Sequence, residues 1–214
     1  MDARFISDRR SWKAGAGAFV LALLFVLCIA LAQRQGWLDR INEGLMVQAG
    51  AWRHGPVGRH LTAPMQIASV VGGTAARLVL LAAVASALVW RGLRRHAVWL
   101  LVTVVGGSLL NLLLKQIFSA PRPDLLPHLD IVNSYSFPSG HAAGNMIFFG
   151  ALAMIAGRGS VHALAALAIV WIGISRVWLG VHWPSDVIAG WAEGIGWLAL
   201  CACRLPAGGG GARR

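Results

Sequence analysis

Apolar runs recur along the chain with basic punctuation between them. Residues 14–32 form 19 positions without a charge, enough for a helix to cross about 30 Å of hydrocarbon. A second run covers about 69–90 and is interrupted by Arg77. The third, 98–114, stops at Lys115, the fourth covers 142–156, the fifth, 161–174, ends near Arg176, and the sixth, 187–202, contains Glu193. The last three reach spanning length only if flanking residues continue the helices. The pattern predicts an all-α bundle of six transmembrane helices. In the segment 33–64 between the first two spans, Leu38, Ile41 and Leu45 fall at helical spacing beside Arg40 and Glu43. That pattern predicts one short amphipathic helix lying in the membrane interface.

Composition agrees with this pattern. The chain is 57% hydrophobic and 13% charged, about half the charge of an ordinary soluble domain. A disordered chain is excluded, and too few polar residues remain to cover a soluble core. We expect a single membrane-embedded domain over 1–205, and a flexible Gly/Arg tail over 206–214. The first apolar run is too long and too poorly flanked for a cleaved signal peptide, so it is read as a span. The net charge of +11 points to headgroup anchoring rather than to nucleic acid, because the arginines flank apolar runs. With six spans, eleven of the 19 basic residues fall on the side of the termini. The positive-inside rule then places both termini in the cytoplasm. Cys28, Cys201 and Cys203 match no zinc spacing and no disulfide framework. Gly106, Gly107 and Gly190 are candidates for close helix contacts. Oligomeric state is not readable.

Polar residues inside a membrane protein are costly, so they are the functional candidates. Three clusters stand out, and the six-span topology puts all three on the outer face. The first runs from Lys115, at the end of the third span, to Arg122 between Pro121 and Pro123. The prolines stiffen the chain and fix the direction of Arg122, and two cations so held can clamp an anion with several oxygens. The second is Pro138, Ser139, Gly140 and His141, just before the fourth run. Serine suits a helix cap, and the amides of a helix N-terminus form an anion site. A histidine there can give or take a proton. The third holds Ser175, Arg176, His182 and Asp186. A carboxylate four residues from a histidine can accept its ring proton, fix its tautomer and leave the other nitrogen as a nucleophile. Each cluster also has a plainer reading, as a snorkelling cation, a capped helix start or a helix-start carboxylate. Together they supply three cations, a helix N-terminus, two histidines and a carboxylate. That set suits phosphoryl transfer without a metal, and the carboxylate clusters that would hold magnesium are missing.

The three stretches resemble the tripartite signature of the type 2 phosphatidic acid phosphatases, the lipid phosphate phosphatase family. The signature positions are all present: Lys115, Arg122 and Pro123; Pro138, Ser139, Gly140 and His141; Ser175, Arg176, His182 and Asp186. The resemblance implies that His182 is the nucleophile of a phosphohistidine intermediate and that Asp186 orients it. His141 would be the acid for the leaving group and then the base for water. Lys115, Arg122, Ser139, Gly140 and Arg176 would hold the phosphate. The family is metal-independent, so no cofactor is expected. It acts on lipid phosphates or diphosphates from the outer side of the membrane. Candidate substrates are undecaprenyl diphosphate, phosphatidylglycerol phosphate and phosphatidate, and the compact chain suits a bacterial inner membrane. The rivals are a lipid phosphotransferase, a vanadium haloperoxidase with a similar pocket, and a non-enzymatic lipid-phosphate transporter or binding protein. The last would need the cations but not the His–Asp pair.

Other polar and aromatic positions carry weaker expectations. Glu193 lies on nearly the same helical face as Asp186 and is expected to be structural. Arg77 is expected to snorkel, and Asn111 to support Lys115. Tyr135, Phe137, Trp178 and Trp183 suit an aromatic belt near the site. His54, His60, His96, His128 and His162 read as interfacial.

Overall fold

The computed structural model describes residues 3–206, and the expected tail, apart from Pro206, lies outside the described residues. Among the described residues there are eight helices and no strands. They are α1 (Ala3–Arg34), α2 (Asp39–His54), α3 (Pro56–Val71), α4 (Thr74–Trp90), α5 (Arg94–Phe118), α6 (Gly140–Ala156), α7 (Gly159–Trp178) and α8 (Pro184–Ala202). Five of the six apolar runs lie each within one helix, and the second is divided between α3 and α4. Length and composition count three spans, α1 from Trp12, α5 and α7, or four if α3 and α4 form one bent span. The expected six are not reached by that measure, because α6 has only 17 residues and α8 carries Asp186 and Glu193 on its buried side.

The segment between α1 and α4 departs from expectation. It forms two 16-residue helices instead of one short one. Gly55 and Pro56 break the chain between them, with Pro56 in the first turn of α3, where its missing N–H costs nothing. The second apolar run begins inside α3, and the chain then bends by 56° at Gly72–Gly73 before α4. Ile41 and Leu45 of α2 face outward as expected of an interfacial helix, whereas Asn42, Met46 and Gly50 are buried against the bundle.

Leu21, Val79, Val102, Ile117 and Leu164, on four different helices, are all more than half exposed. Water would penalise such a surface, and lipid tails suit it. Inside, Leu81, Leu100, Val104, Phe148, Ala151 and Leu198 form the largest core, shared by α4, α5, α6 and α8. Small residues let the backbones close up. A Cβ on Gly190 of α8 would lie 2.6 Å from the Ser139 carbonyl oxygen, and one on Gly107 of α5 would lie 2.4 Å from Ile147 Cδ1. The first contact seats the start of α6 on α8, which places the second motif beside the third.

Candidate active site

The three motifs meet at one end of the bundle. Lys115 is in the last turn of α5, Ser139 and Gly140 open α6, Arg176 is in the last turn of α7, and Asp186 is in the first turn of α8. They surround a cavity of about 290 Å³. Lys115, Arg122, Gly140, His141, Arg176 and His182 line it. Ser139 and Asp186, both fully buried, stand behind this lining.

His182 is gripped from both sides. Its Nδ1 lies 3.2 Å from Asp186 Oδ2 and 3.2 Å from Ser136 Oγ. Ser136 donates its own proton to Asp186 Oδ2 at 2.5 Å, so its oxygen can accept from the ring. Both neighbours therefore favour a proton on Nδ1, which leaves the lone pair on Nε2. Arg122 Nη1 lies 3.3 Å from that nitrogen, and a cation can only donate to it. Burial pushes the His182 pKa down to about 3, against the pull of Asp186. The ring is thus neutral at physiological pH, as a nucleophile must be.

Asp186 is fixed by donors from three other places. Gln33 Nε2 of α1 reaches its Oδ1 at 2.9 Å, and the Trp183 amide and Ser136 reach Oδ2 at 3.0 and 2.5 Å. Gln33 also donates to Ser185 Oγ at 2.6 Å. The first span therefore takes part in the site through its last polar turn.

The cations are held by the loop between α5 and α6. Lys115 Nζ donates to the carbonyls of Tyr135 (2.5 Å) and Ser136 (3.1 Å), leaving its third proton free. Arg122 donates from Nε to Ser134 O at 2.9 Å and from Nη1 to Val181 O at 2.6 Å. Burial, with Arg176 nearby, lowers the Arg122 pKa to about 10, so it stays charged at neutral pH. Arg176 is fully buried. Its Nη1 donates to Asp130 Oδ2 at 2.6 Å and to Ser69 Oγ. Among the described residues its Nε and Nη2 have no hydrogen-bond partner. These two atoms form one edge of the guanidinium, the edge that binds two oxygens of a phosphate at once. Burial opposes ionisation of Asp130, but hydrogen bonds from Arg176 and Ser69 outweigh it and hold the carboxyl below its usual range.

Ser139 caps α6, its Oγ accepting from the Ala142 amide at 3.5 Å. The first-turn amides of α6, which lack helical acceptors, are left at the cavity edge where Gly140 sits. His141 Nε2 lies 3.1 Å from Ser69 O. The carbonyl only accepts, so Nε2 carries a proton there and Nδ1 is the ring nitrogen left for proton transfer.

Several expectations need correction. Arg77 does not snorkel: it is 5% exposed, donates to Gly72 O at 3.2 Å, and lines the cavity. Phe137 and Trp178 are buried core residues rather than belt aromatics, and His96 is buried rather than interfacial. Asn111 also lines the cavity and donates to Glu193 Oε2 at 2.8 Å. Gln33, Ser69, Asp130 and Ser136 were missed by sequence reasoning. Only Gln33, the first polar residue after the longest uninterrupted apolar run, had a signal to find it by.

An all-helical membrane bundle with a cation-lined phosphate-sized cavity defines a recognisable class. The chain belongs to the PAP2 superfamily, whose family model matches residues 96–207, a stretch that takes in all three motifs. The resemblance read from those motifs is thereby shown. Over 111 residues the chain is 40% identical to a lipid A 1-phosphatase of Rhizobium etli, covering 48% of this chain and 47% of that protein. It is 36% identical over 107 residues to phosphatidylglycerophosphatase B of Bacillus subtilis, covering 45% and 52%. It is 29% identical over 129 residues to an undecaprenyl-diphosphatase of Sulfolobus acidocaldarius, covering 55% and 59%. The chain thus spans about half the length of these curated relatives. The crystal structure of a transmembrane PAP2-type phosphatidylglycerolphosphate phosphatase from Bacillus subtilis matches with a TM-score of 0.73 at 26% identity, over 86% of this chain and 93% of that one. The all-helical transmembrane fold is therefore shared, and the chain is a membrane protein.

Proposed function

We propose that this chain is a metal-independent membrane phosphatase that hydrolyses a lipid phosphate or diphosphate through a phosphohistidine intermediate. The observation that carries the reading is His182, with Nδ1 facing Asp186 and Ser136 and Nε2 beside Arg122 in a cation-lined cavity. The substrate phosphorus would sit between Arg176 Nε/Nη2, Lys115, Arg122 and the α6 amides near Gly140. Ser139 contributes by capping that helix. His182 Nε2 attacks, forming the N–P bond, while the P–O bond to the lipid breaks. With the phosphate bound, His141 also carries a proton on Nδ1, the nitrogen not engaged by Ser69 O, and gives that proton to the leaving oxygen. In the second step His141 takes a proton from water, whose oxygen displaces His182 from phosphorus. Asp186 stabilises the positive ring between the two steps. The cations offset charge on the equatorial oxygens.

The names of the relatives support lipid phosphates as the substrate class, with undecaprenyl diphosphate, phosphatidylglycerol phosphate and phosphatidate as first candidates. The reading includes six spans, a single domain over 1–205, cytoplasmic termini, and a site on the outer face of a bacterial inner membrane. The test is phosphate release by purified protein in detergent with EDTA, on a panel of those lipids and a lipid A phosphate. Turnover in EDTA is expected. Activity that EDTA abolishes and magnesium restores would overturn metal-free chemistry.

A further inference from the structure

The cavity holds more positive charge than one phosphate requires. Among its lining residues are four cations, Lys115, Arg122, Arg176 and Arg77, and no carboxylate. Three of them converge on the nucleophile end. Arg77 does not: it sits in the first turn of α4, buried in an apolar helix. Among the described residues it has no salt bridge. Its contacts are two weak ones close in sequence, to Gly72 O at 3.2 Å and Thr74 Oγ1 at 3.5 Å. A buried guanidinium with no counter-charge is costly at membrane depth, and a charged ligand would remove that cost.

The position of Arg77 says what part of a ligand it would meet. A Cβ on Gly140 would lie 3.6 Å from Lys115 Cε, and a Cβ on Gly144 would lie 2.4 Å from Arg77 Cζ. Gly140 and Gly144 share one face of α6, about one turn or ~6 Å apart. Lys115 and Arg77 are therefore stacked along the same helix face, with His141 on the intervening turn. The absence of a side chain at Gly144 is what gives the guanidinium its place. His141 is the acid for the leaving group in the reading above, so Arg77 lies beyond it, where the remainder of the headgroup must be. Thr74 and Ser108 line the cavity there too.

We propose that Arg77, with Thr74, is a subsite for a second phosphate, and that it makes the chain prefer a lipid diphosphate to a lipid monophosphate. This rests on the phosphatase reading. In the first step the P–O bond between the two phosphorus atoms breaks, His141 protonates the bridging oxygen, and the departing lipid monophosphate keeps its negative charge against Arg77. A lipid monophosphate leaves as a neutral alcohol and gains nothing from that cation.

The experiment compares kcat/KM for an isoprenyl diphosphate and the isoprenyl monophosphate of the same chain length, in detergent. Wild type is expected to prefer the diphosphate, and Arg77→Gln to lower that preference by about 10–100-fold, as for a lost charge-assisted hydrogen bond. Arg77→Lys should restore part of it. Gly144→Ala, whose methyl would take the guanidinium's place, should lower it too. An unchanged ratio in folded Arg77→Gln, or no diphosphate preference in wild type, overturns the subsite while leaving the phosphatase reading intact. Phosphate release from neither substrate by wild type overturns that reading, and the subsite with it. If Arg77→Gln does not fold, the thermal stability of wild type and Arg77→Lys with inorganic diphosphate or inorganic phosphate decides. Stronger protection of wild type by diphosphate, reduced in Arg77→Lys, supports the subsite, and equal protection by the two anions overturns it.

Discussion

Helices α5, α6 and α8 run between two ends of the bundle that are built on different principles. At one end Leu100, Val104, Phe148, Ala151 and Leu198 fill space against each other, and the Trp99 indole donates to Cys201 O at 2.9 Å. At the other end the same helices present Lys115, Gly140, His141 and Asp186, and nearly every polar atom is answered from a different element. Asp186 alone takes donors from α1, from the α5–α6 loop and from the residue before α8. The apolar end needs the right volume, whereas the polar end needs particular atoms at particular distances. Damage at the two ends should accordingly be read by different instruments: a melting curve for the first, turnover for the second.

The largest effect should come from His182→Ala. It removes the attacking nitrogen, so phosphate release should fall by about 10⁴-fold or more. The helical circular dichroism spectrum should remain that of wild type, and a variant that turns over normally would sink the nucleophile assignment. Phe148→Ala tests the opposite end. Phe148 is buried between α5, α6 and α8, and its loss should destabilise by about 3–5 kcal/mol. The protein that stays folded should keep its kcat. A stable but inactive Phe148→Ala would mean that the two ends are not separable. Asp130→Asn is milder. It leaves Arg176 without its ion pair at 2.6 Å, but the Asp130 side chain is 32% exposed, so solvent softens the loss. We expect kcat/KM to fall about tenfold, mostly through KM, with a lower melting temperature because the buried Arg176 loses its counter-charge.

The two ends also differed in how far they could be read from sequence. The apolar runs located α1, α5 and α7, the helices long and apolar enough to span, because a chain in hydrocarbon must satisfy its backbone hydrogen bonds internally. The signature residues were legible because each sits at the end of a run, and ends of runs meet at one face of a bundle. Arg77 was not, since a cation inside a run reads as snorkelling. Its inward turn depends on the bend at Gly72–Gly73 and on the bare backbone of Gly144, which are tertiary facts. Asp130 and Ser69 were invisible for a similar reason. They lie 46 and 107 residues from Arg176, and the loop that carries Asp130 has no periodicity to fix its direction. The segment read between the first two spans ended at residue 64, yet Pro64 lies within α3, where tertiary packing outweighed the lost hydrogen bond.

The smallest effect sharpens the comparison most directly, because it reads one atom. If the polar end is as dry and as fixed as its hydrogen bonds imply, His182 should not titrate like a histidine in water. Burial lowers its pKa to about 3, below the ~6.5 of an unfolded chain. The unfolded state therefore takes up a proton as pH falls through 6.5 while the folded state does not. The associated stability is intact above pH 6.5 and is lost as pH falls from there toward 3. Nitrogen-15 NMR of histidine-labelled protein in detergent, with His182→Gln to assign the signal, reads the ring itself. His182 should show a protonated Nδ1 and a bare Nε2 at pH 7, and the same spectrum at pH 5. A midpoint near 6.5 would mean that water reaches the ring. The contrast between a packed end and a hydrogen-bonded end would then reduce to a contrast between a dry end and a wet one.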